Sequence, residues 1–156
     1  MLLRLIAAGT RMPAWVNQAF EEYAGRLTAD YRLELREIAL GQRSGSATAQ
    51  QAMAKEGERM LAAIPPRSYV VALQVTGKAL SSEQLAQFLQ TRARDGRDVA
   101  FLIGGPDGIA PELDAKADLR WSLSALTLPH GLARVMVAEA LYRAVSIVKG
   151  HPYHRA

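Results

Sequence analysis

The stretch Val99-Ala-Phe-Leu-Ile103-Gly-Gly-Pro-Asp-Gly108 decides the fold class of this chain of 156 residues. Its first five residues are uniformly apolar, which is typical of a central parallel strand that is buried on both faces. The glycines and the proline that follow favour turns and end the strand sharply. Because such a strand needs neighbours, the stretch predicts a mainly parallel sheet flanked by helices.

Strands and helices alternate on both sides of this stretch. Alternation of this kind predicts an α/β fold, and we expect one domain over residues 1–156. A turn is predicted at Thr76-Gly77-Lys78. Further strands or extended stretches are predicted at Leu2–Ala8, Arg32–Leu40, Ser68–Val75 and Trp121–Leu128.

Sequence signals for helix starts lie between the predicted strands. Pro13 suits the first turn of a helix, because it has no N–H to leave unpaired. Thr48-x-x-Gln51 and Ser81-x-x-Gln84 have the form of capping boxes. A short helix is predicted over Pro111–Ala117, and the stretch Gly41–Ala47 reads as a polar loop.

The last predicted helix, Gly131–Val148, is apolar on nearly all sides and is closed by Gly150. A helix without a polar face must be covered on more than one side. This pattern predicts that the helix packs on the sheet with one side and against a second subunit with the other. Glu139 and Arg143 are spaced to pair locally as i and i+4, and a role for both in an active site is the alternative.

The composition excludes several classes of site. The chain has no cysteine, so disulfides, thiolate metal ligands and a cysteine nucleophile are excluded. No apolar run approaches the roughly 20 residues of a membrane span, and no signal-peptide pattern is present at the N-terminus. We therefore expect a cytoplasmic protein without a membrane partner.

Positive charge collects at the C-terminal end of the sequence. Between Pro129 and Ala156, Arg134, Arg143, Lys149 and Arg155 stand against Glu139 alone, and all three histidines lie in the same segment. A basic segment with protonatable imidazoles suits a polyanion such as nucleic acid, although chance clustering remains the alternative.

Ligands of open α/β sheets bind at the carboxyl ends of the strands, where three features of the sequence fall: Leu73, Gly104–Gly108 and Ser122–Leu128. The glycines would let a ligand approach bare backbone, although their spacing fits no common phosphate-binding loop. Between residues 122 and 128, backbone amides and carbonyls would form hydrogen bonds with the edge of an adenine, and the leucines would bury its face. A tight turn, an ordinary strand and a helix-capping role for His130 are the alternatives.

The C-terminal stretch His151-Pro-Tyr-His-Arg155 is rich in chemistry. An aromatic ring stacks on bases, an imidazole handles protons, and a guanidinium pairs with phosphate. A frayed tail without a role is the alternative. No metal site is expected, because the two histidines lack carboxylate or cysteine company.

Several of these motifs resemble one family, the small bacterial SPOUT-class methyltransferases that modify N3 of a pseudouridine in 23S ribosomal RNA. The likeness spans the whole chain at nearly constant spacing. The motifs that carry it are Gly9-Thr-Arg-Met-Pro-Ala-Trp15, Lys55-Glu-Gly-Glu58, Asp95-Gly-Arg-Asp98, Leu102–Gly108, Ser122–His130, Glu139-Ala-Leu-Tyr-Arg-Ala144 and His151–Arg155.

The resemblance implies a fold, a cofactor and a substrate. The C-terminal part of the fold would be tied in a trefoil knot, and the working unit would be a homodimer whose subunits jointly form the RNA site. The methyl donor would be S-adenosylmethionine, with no metal, and the substrate would be 23S ribosomal RNA within an assembled ribosome. The cofactor would be held by Leu73, Gly104, Leu123, Ser124, Ala125, Leu126, Thr127 and Leu128.

For catalysis, the resemblance and the side-chain chemistry together assign Tyr153, His154 and Arg155 to the target nucleotide, with His154 as the leading candidate for its proton. Small departures from the family pattern are Asp107, Leu126 and Ala140, where Glu, Met and Gln are more usual. Two other functions stay open from the residues alone: a nucleotide- or ribosome-binding module without catalysis, and a flavodoxin-like redox protein.

Overall fold

The computed structural model describes residues 1–28 and 30–155. Its centre is a parallel sheet in the order β2-β1-β4-β3-β5, with the apolar strand around Phe101 as β4. The predicted parallel α/β sheet is therefore confirmed, and the trefoil knot stays a prediction. The strands are β1 (Leu2–Ala8), β2 (Arg32–Ile38), β3 (Tyr69–Ala79), β4 (Val99–Ile103) and β5 (Leu119–Ser122).

The helices begin where the sequence signals lie. Both predicted capping boxes form, with Thr48 and Ser81 each accepting from the backbone of the residue three positions on. Gly150 ends the last helix in the left-handed conformation, with φ of 71°. The helices are α1 (Ala14–Ala24), α2 (Ala49–Ala63), α3 (Ser82–Arg94), α4 (Pro111–Asp114) and α5 (His130–Lys149), followed by a 3₁₀ turn at Pro152–His154.

Alternation along the strands divides the core into two layers. On β1, Leu3 and Leu5 point into a core formed with α1, α3 and α5, whereas Ile6 points into a second core with α2 and α4. Successive side chains of a strand face opposite sides of the sheet. Since both faces are covered, the carboxyl edge of the sheet is left to form a site.

Several predicted boundaries are wrong. The strand predicted over Arg32–Leu40 ends at Ile38. The predicted turn Thr76-Gly77-Lys78 belongs to β3, which continues after a register shift so that Lys78 pairs with Trp121. The predicted extended stretch Trp121–Leu128 keeps strand structure only to Ser122. The helix predicted over Pro111–Ala117 ends at Asp114.

The prediction for the last helix needs a correction as well. Helix α5 packs against α1 and α3 in addition to the sheet, so neighbouring helices of the same chain cover part of its apolar surface, and the second subunit stays a prediction. Some apolar residues on α5 keep part of their surface in solvent, and Leu132 is the most exposed of them at 37%. Within the described residues, no helix combines the length and apolar character needed to cross a membrane.

Candidate active site

A cavity of about 550 Å³ opens at the carboxyl edge of the sheet, where β1, β4 and β5 end. This volume lies in the range of small-molecule sites. Ala125 is exposed and is not among the residues that line the cavity. The other seven residues predicted to bind a cofactor line it: Leu73, Gly104, Leu123, Ser124, Leu126, Thr127 and Leu128.

The segment Leu123–Leu128 leaves the sheet because serine side chains bond to nearby backbone groups. The hydroxyl of Ser122 donates to the carbonyl oxygen of Ser124 over 3.0 Å, and the hydroxyl of Ser124 accepts from the backbone N–H of Leu126 over 2.9 Å. Such local bonds compete with sheet pairing. The segment therefore becomes a loop whose backbone and leucines border the cavity, with Leu126 73% exposed.

The glycine loop after β4 forms a second wall. Its ends meet in a bridge between Gly105 and Gly108, and the N–H of Gly108 donates to the carbonyl of Gly105 over 3.0 Å. A Cβ on Gly104 would lie 2.6 Å from the carbonyl oxygen of Gly108. Gly104 is therefore required by the close approach of the loop to itself, in addition to any ligand.

An arginine that the sequence analysis missed anchors this loop from outside. Arg43, in the polar loop after β2, bonds through Nε to Asp107 over 2.9 Å and through Nη1 to Glu56 over 2.6 Å. Glu56 is almost fully buried and also accepts from the N–H of Gly41 over 2.9 Å. Both carboxylates raise the pKa of Arg43. The loop after β2 and the glycine loop are therefore joined by a charged cluster.

A second missed arginine lies behind the cavity wall. Arg134 on α5 is completely buried. Its Nη1 donates to Glu37 Oε2 over 2.6 Å, its Nη2 to the carbonyl of Gly9 over 2.8 Å, and its Nε to His130 Nε2 over 2.9 Å. The sequence offered one signal, since residues 130 and 134 are spaced as neighbours on a helix.

His130 reaches the cavity from the first position of α5. It does not cap the helix: Pro129 is the N-cap and no side chain bonds there. Its Nδ1 lies 3.3 Å from the carbonyl oxygen of Gly104. Burial, and then the positive charge of Arg134, lower the pKa of His130.

The cavity is apolar and almost free of titratable groups. Among its lining residues in the described part of the chain, His130 alone has a side chain that titrates. Polar contact is offered mainly by backbone groups and by the side chains of Thr10, Gln74, Ser124 and Thr127. Such a cavity can hold an aromatic ligand with hydrogen-bonding edges, but it offers little for moving a proton.

The predicted catalytic tail docks on α5 through Tyr153. The hydroxyl of Tyr153 donates to Glu139 Oε1 over 3.1 Å, and its ring packs edge-on against Tyr142 with centroids 4.6 Å apart. The guanidinium of Arg143 lies over the Tyr153 ring at 5.0 Å. Burial, followed by the charge of Glu139, raises the pKa of Tyr153 to about 12. Glu139 and Arg143 form the local pair, at 2.7 Å, that their spacing predicted.

The other two tail residues are less constrained. His154 is half-buried, and its Nδ1 is shielded from solvent without a hydrogen-bond partner among the described residues. Arg155 is exposed. None of the three tail residues lines the cavity of the same chain. The structure thus gathers the predicted cofactor residues, but it does not bring the predicted catalytic residues to them.

The basic C-terminal segment presents less free charge than its composition suggests. Arg134 is buried beside Glu37, Arg143 pairs with Glu139, and Lys149 lies 3.4 Å from Asp30. Over residues 1–28 and 30–155, only Arg155 of the four cations is both exposed and outside an ion pair. In the same residues, no group of three or more histidines and carboxylates is placed to hold a metal ion.

The chain matches a family model and curated proteins over nearly all of its length. A family model described as "Predicted SPOUT methyltransferase" matches residues 1–154. A curated ribosomal RNA large subunit methyltransferase H from Stenotrophomonas maltophilia (strain K279a) is 54% identical over 156 residues, covering 100% of both chains. The protein of the same name from Burkholderia mallei (strain SAVP1) is 51% identical with the same coverage.

Among solved structures, a probable methylase family protein from Haemophilus influenzae Rd KW20 superposes with a TM-score of 0.57. The match covers 99% of this chain and 70% of that one at 14% sequence identity. At this identity the likeness concerns the fold alone.

Proposed function

Because the chain belongs to the SPOUT methyltransferase family, we propose that it transfers the methyl group of S-adenosylmethionine to N3 of a pseudouridine in 23S ribosomal RNA. The observation that carries the substrate class is the identity of 54% and 51%, along the full length, to two ribosomal RNA large subunit methyltransferases. Family membership favours an enzyme over a binding module without catalysis or a flavodoxin-like redox protein.

The cavity fits an adenosine-containing cofactor. Its volume of about 550 Å³ suits a ligand of that size, and leucines at 73, 123 and 128 would bury the faces of an adenine. Backbone N–H and carbonyl groups of the Leu123–Leu128 loop and of Gly104 would bond its edges. When bound, S-adenosylmethionine supplies an electrophilic methyl group on a sulfonium, and the residues of the cavity would align this methyl group with the acceptor.

The imide proton on N3 of the target must leave for that nitrogen to attack. None of the described residues that line the cavity carries a carboxylate, and both ring nitrogens of His130 are engaged in hydrogen bonds. We therefore assign the proton to the tail, with His154 as the acceptor. Tyr153 keeps its proton at neutral pH, since its pKa is raised to about 12, and would act as a donor or stacking surface. Arg155 would pair with a phosphate of the RNA.

A second copy of the chain would bring the tail to the cavity. The tail residues do not line the cavity of their own chain, and apolar residues of α5 such as Leu132 remain partly exposed. Both observations support a homodimer in which the cavity of one subunit works with Tyr153, His154 and Arg155 of the other.

Mixing two inactive variants tests this arrangement. Gly104→Ala weakens cofactor binding in the cavity and His154→Ala removes the proton acceptor of the tail, so each homodimer should have little activity at a cofactor concentration near the wild-type dissociation constant. A mixed dimer holds one intact cavity and one intact tail on different chains, and its activity should therefore recover. Recovery requires that subunits exchange, which mass measurement of the mixed dimer checks. No recovery in a proven mixed dimer, or a monomer at micromolar concentration, would contradict the proposal.

The substrate is tested by mapping methyl groups in ribosomal RNA. Ribosomal RNA from a strain that lacks the gene should have lost one methyl group, located by mass mapping to N3 of a pseudouridine in 23S RNA. The purified protein with S-adenosylmethionine should restore it on assembled ribosomes and not on free 23S RNA. A ribosomal substrate supports a cytoplasmic location, which we propose. An unchanged methylation map would contradict the proposed function.

A further inference from the structure

Arg134 is a fully buried cation that joins the carboxyl ends of three strands. It is 0% exposed, and it donates to Glu37 at the end of β2, to the carbonyl of Gly9 just after β1, and to His130, which contacts Gly104 after β4. A buried charge is destabilising unless it is paired and hydrogen-bonded. Glu37, at 2.6 Å, supplies the opposite charge.

The bond from Arg134 fixes the tautomer of His130. An arginine Nε can only donate, so Nε2 of His130, 2.9 Å away, must accept and carry no proton. The proton of the neutral ring then lies on Nδ1, which donates to the carbonyl oxygen of Gly104 over 3.3 Å. Protonation at Nε2 would set two N–H donors against each other and break this chain of bonds.

The charges around the ring oppose protonation on balance. The charged groups that act on His130 are Arg134 on its own helix and Glu37 on β2, while the facing glycine loop presents a carbonyl group. Burial and Arg134 lower the pKa of His130 against the weaker opposite effects of Gly104 and Glu37. With Arg134 and Glu37 paired, this wall of the cavity bears no net charge.

We propose that Arg134 is a positioning residue that acts through His130: it holds the imidazole as the neutral Nδ1–H tautomer, which fixes the Gly104 carbonyl and keeps the cavity wall uncharged beside a cationic methyl donor. The proposal rests on the proposed function, in that the ligand of the cavity is S-adenosylmethionine. His130 is consequently excluded as a proton acceptor, although it is the titratable side chain of the cavity wall.

The tautomer can be read in the protein without ligand. Nitrogen-15 NMR of the histidine rings should show His130 as the Nδ1–H form at pH 8, identified by the loss of its signals in the His130→Asn variant. A dominant Nε2–H form, or an equal mixture of the two, would overturn the proposal whether or not the cofactor binds.

Calorimetry with S-adenosylmethionine, which carries the sulfonium charge and has no methyl acceptor in the absence of RNA, tests the consequence for binding. If only the neutral ring supports binding, wild-type affinity should be constant near pH 8 and fall about tenfold per pH unit below the pKa of His130, which lies under its usual value. His130→Asn does not titrate and can still donate to Gly104, so its affinity should not change between pH 8 and pH 5.

The matched control is His130→Gln, which does not titrate either but places its amide toward Arg134 instead of Gly104. It should bind more weakly than His130→Asn at every pH. Equal affinities of the two variants, or a fall at low pH that persists in His130→Asn, would overturn the positioning role. Failure of the wild-type protein to bind at pH 8 would instead contradict the proposed function, and the NMR measurement would still decide the tautomer.

Discussion

The cavity and the C-terminal tail differ in nearly every physical property. The cavity is walled by apolar side chains and backbone, with His130 as its titratable group. The tail consists of an aromatic ring, an imidazole and a guanidinium, and its Tyr153 docks on α5 beside Glu139. The cavity is held by bonds between distant parts of the chain, whereas the tail is held by one turn and a few side chains.

Because of this difference, we assign cofactor binding and proton transfer to different stretches of the chain. Alignment of a methyl donor needs shape and fixed backbone groups, which the cavity offers. Removal of a proton needs a positioned side chain that can accept it, and the tail offers the imidazole of His154. Variants of the two regions should therefore separate kinetically, with cavity variants changing cofactor affinity and tail variants changing turnover.

The largest effect is expected from His154→Ala. Loss of a general base lowers a rate by roughly 10²–10⁴-fold, so turnover on ribosomes should fall by about that factor, measured by methyl incorporation. Affinity for S-adenosylhomocysteine should change less than about twofold, since no tail residue lines the cavity of its own chain. Unchanged turnover would show that His154 does not accept the proton and would contradict the assignment of proton transfer to the tail.

A smaller effect of the opposite kind is expected from Gly104→Ala. The added Cβ would lie 2.6 Å from the Gly108 carbonyl oxygen, and overpacking of this kind costs about 1–3 kcal/mol. Cofactor affinity should consequently fall about 5- to 150-fold, as measured by calorimetry.

The control is Gly96→Ala. Gly96 has a positive φ, of 67°, which Gly104 does not have, but its Cβ would meet nothing within 4 Å, and it lies in the loop before β4 at the opposite edge of the sheet. It should lose some stability and keep its cofactor affinity. If both variants lose affinity equally, the effect comes from the fold and not from the cavity.

Tyr153→Phe is expected to lower turnover by less than His154→Ala does. Removing the hydroxyl breaks the bond to Glu139, which is worth about 0.5–1.5 kcal/mol, so turnover should fall about 2- to 10-fold. Because the folded state raises the pKa of Tyr153 to about 12, above its usual value near 10, the folded form binds the proton more tightly. Its contribution to stability is therefore full below pH 10 and is lost as the pH rises toward 12.

Thermal denaturation between pH 9 and pH 12 measures this contribution. The loss of stability over that range should be smaller in Tyr153→Phe than in the wild-type protein. An identical loss in both would mean that the tyrosine is as solvated as in the unfolded chain and that the tail is not docked in solution.

Features of the fold that depend on neighbours in sequence could be predicted. The capping boxes at Thr48 and Ser81 formed because each needs only the next three residues. The strand β4 could be predicted because a strand that is buried on both faces has apolar residues at every position. The end of β5 was not identified, since Ser122 and Ser124 carry hydroxyls that bond locally in a loop as readily as they face outward from a strand.

The residues that line the candidate site with their backbone could be predicted from the sequence. The side chains that contact each other between distant parts of the chain could not. Gly104 follows from its place after the end of β4, and Leu73 from its place near the predicted end of β3, where the register with β5 shifts. Arg134 bonds partners 97 and 125 positions away in sequence. In the sequence it counted as one more positive charge for nucleic acid, whereas burial makes it part of the wall. Sequence composition reports charge but not whether that charge reaches solvent.

The smallest effect is expected at Asp107, where the cavity is tied to the loop after β2. Asp107 lies 2.9 Å from Arg43 but is 40% exposed, so water replaces much of what Asp107→Asn removes. An exposed pair of this kind contributes about 0–1 kcal/mol, and cofactor affinity should fall less than about fivefold.

Glu56→Gln is the matched comparison, because it removes the buried partner of the same arginine. Glu56 is 2% exposed and also holds the N–H of Gly41, and breaking a buried pair costs more than breaking an exposed one. Its loss of stability should exceed that of Asp107→Asn in denaturant unfolding. If Asp107→Asn weakens cofactor binding as much as Gly104→Ala does, the cofactor site depends on the ion pairs of Arg43 with Asp107 and Glu56. The loop after β2 would then help to hold the cavity in shape.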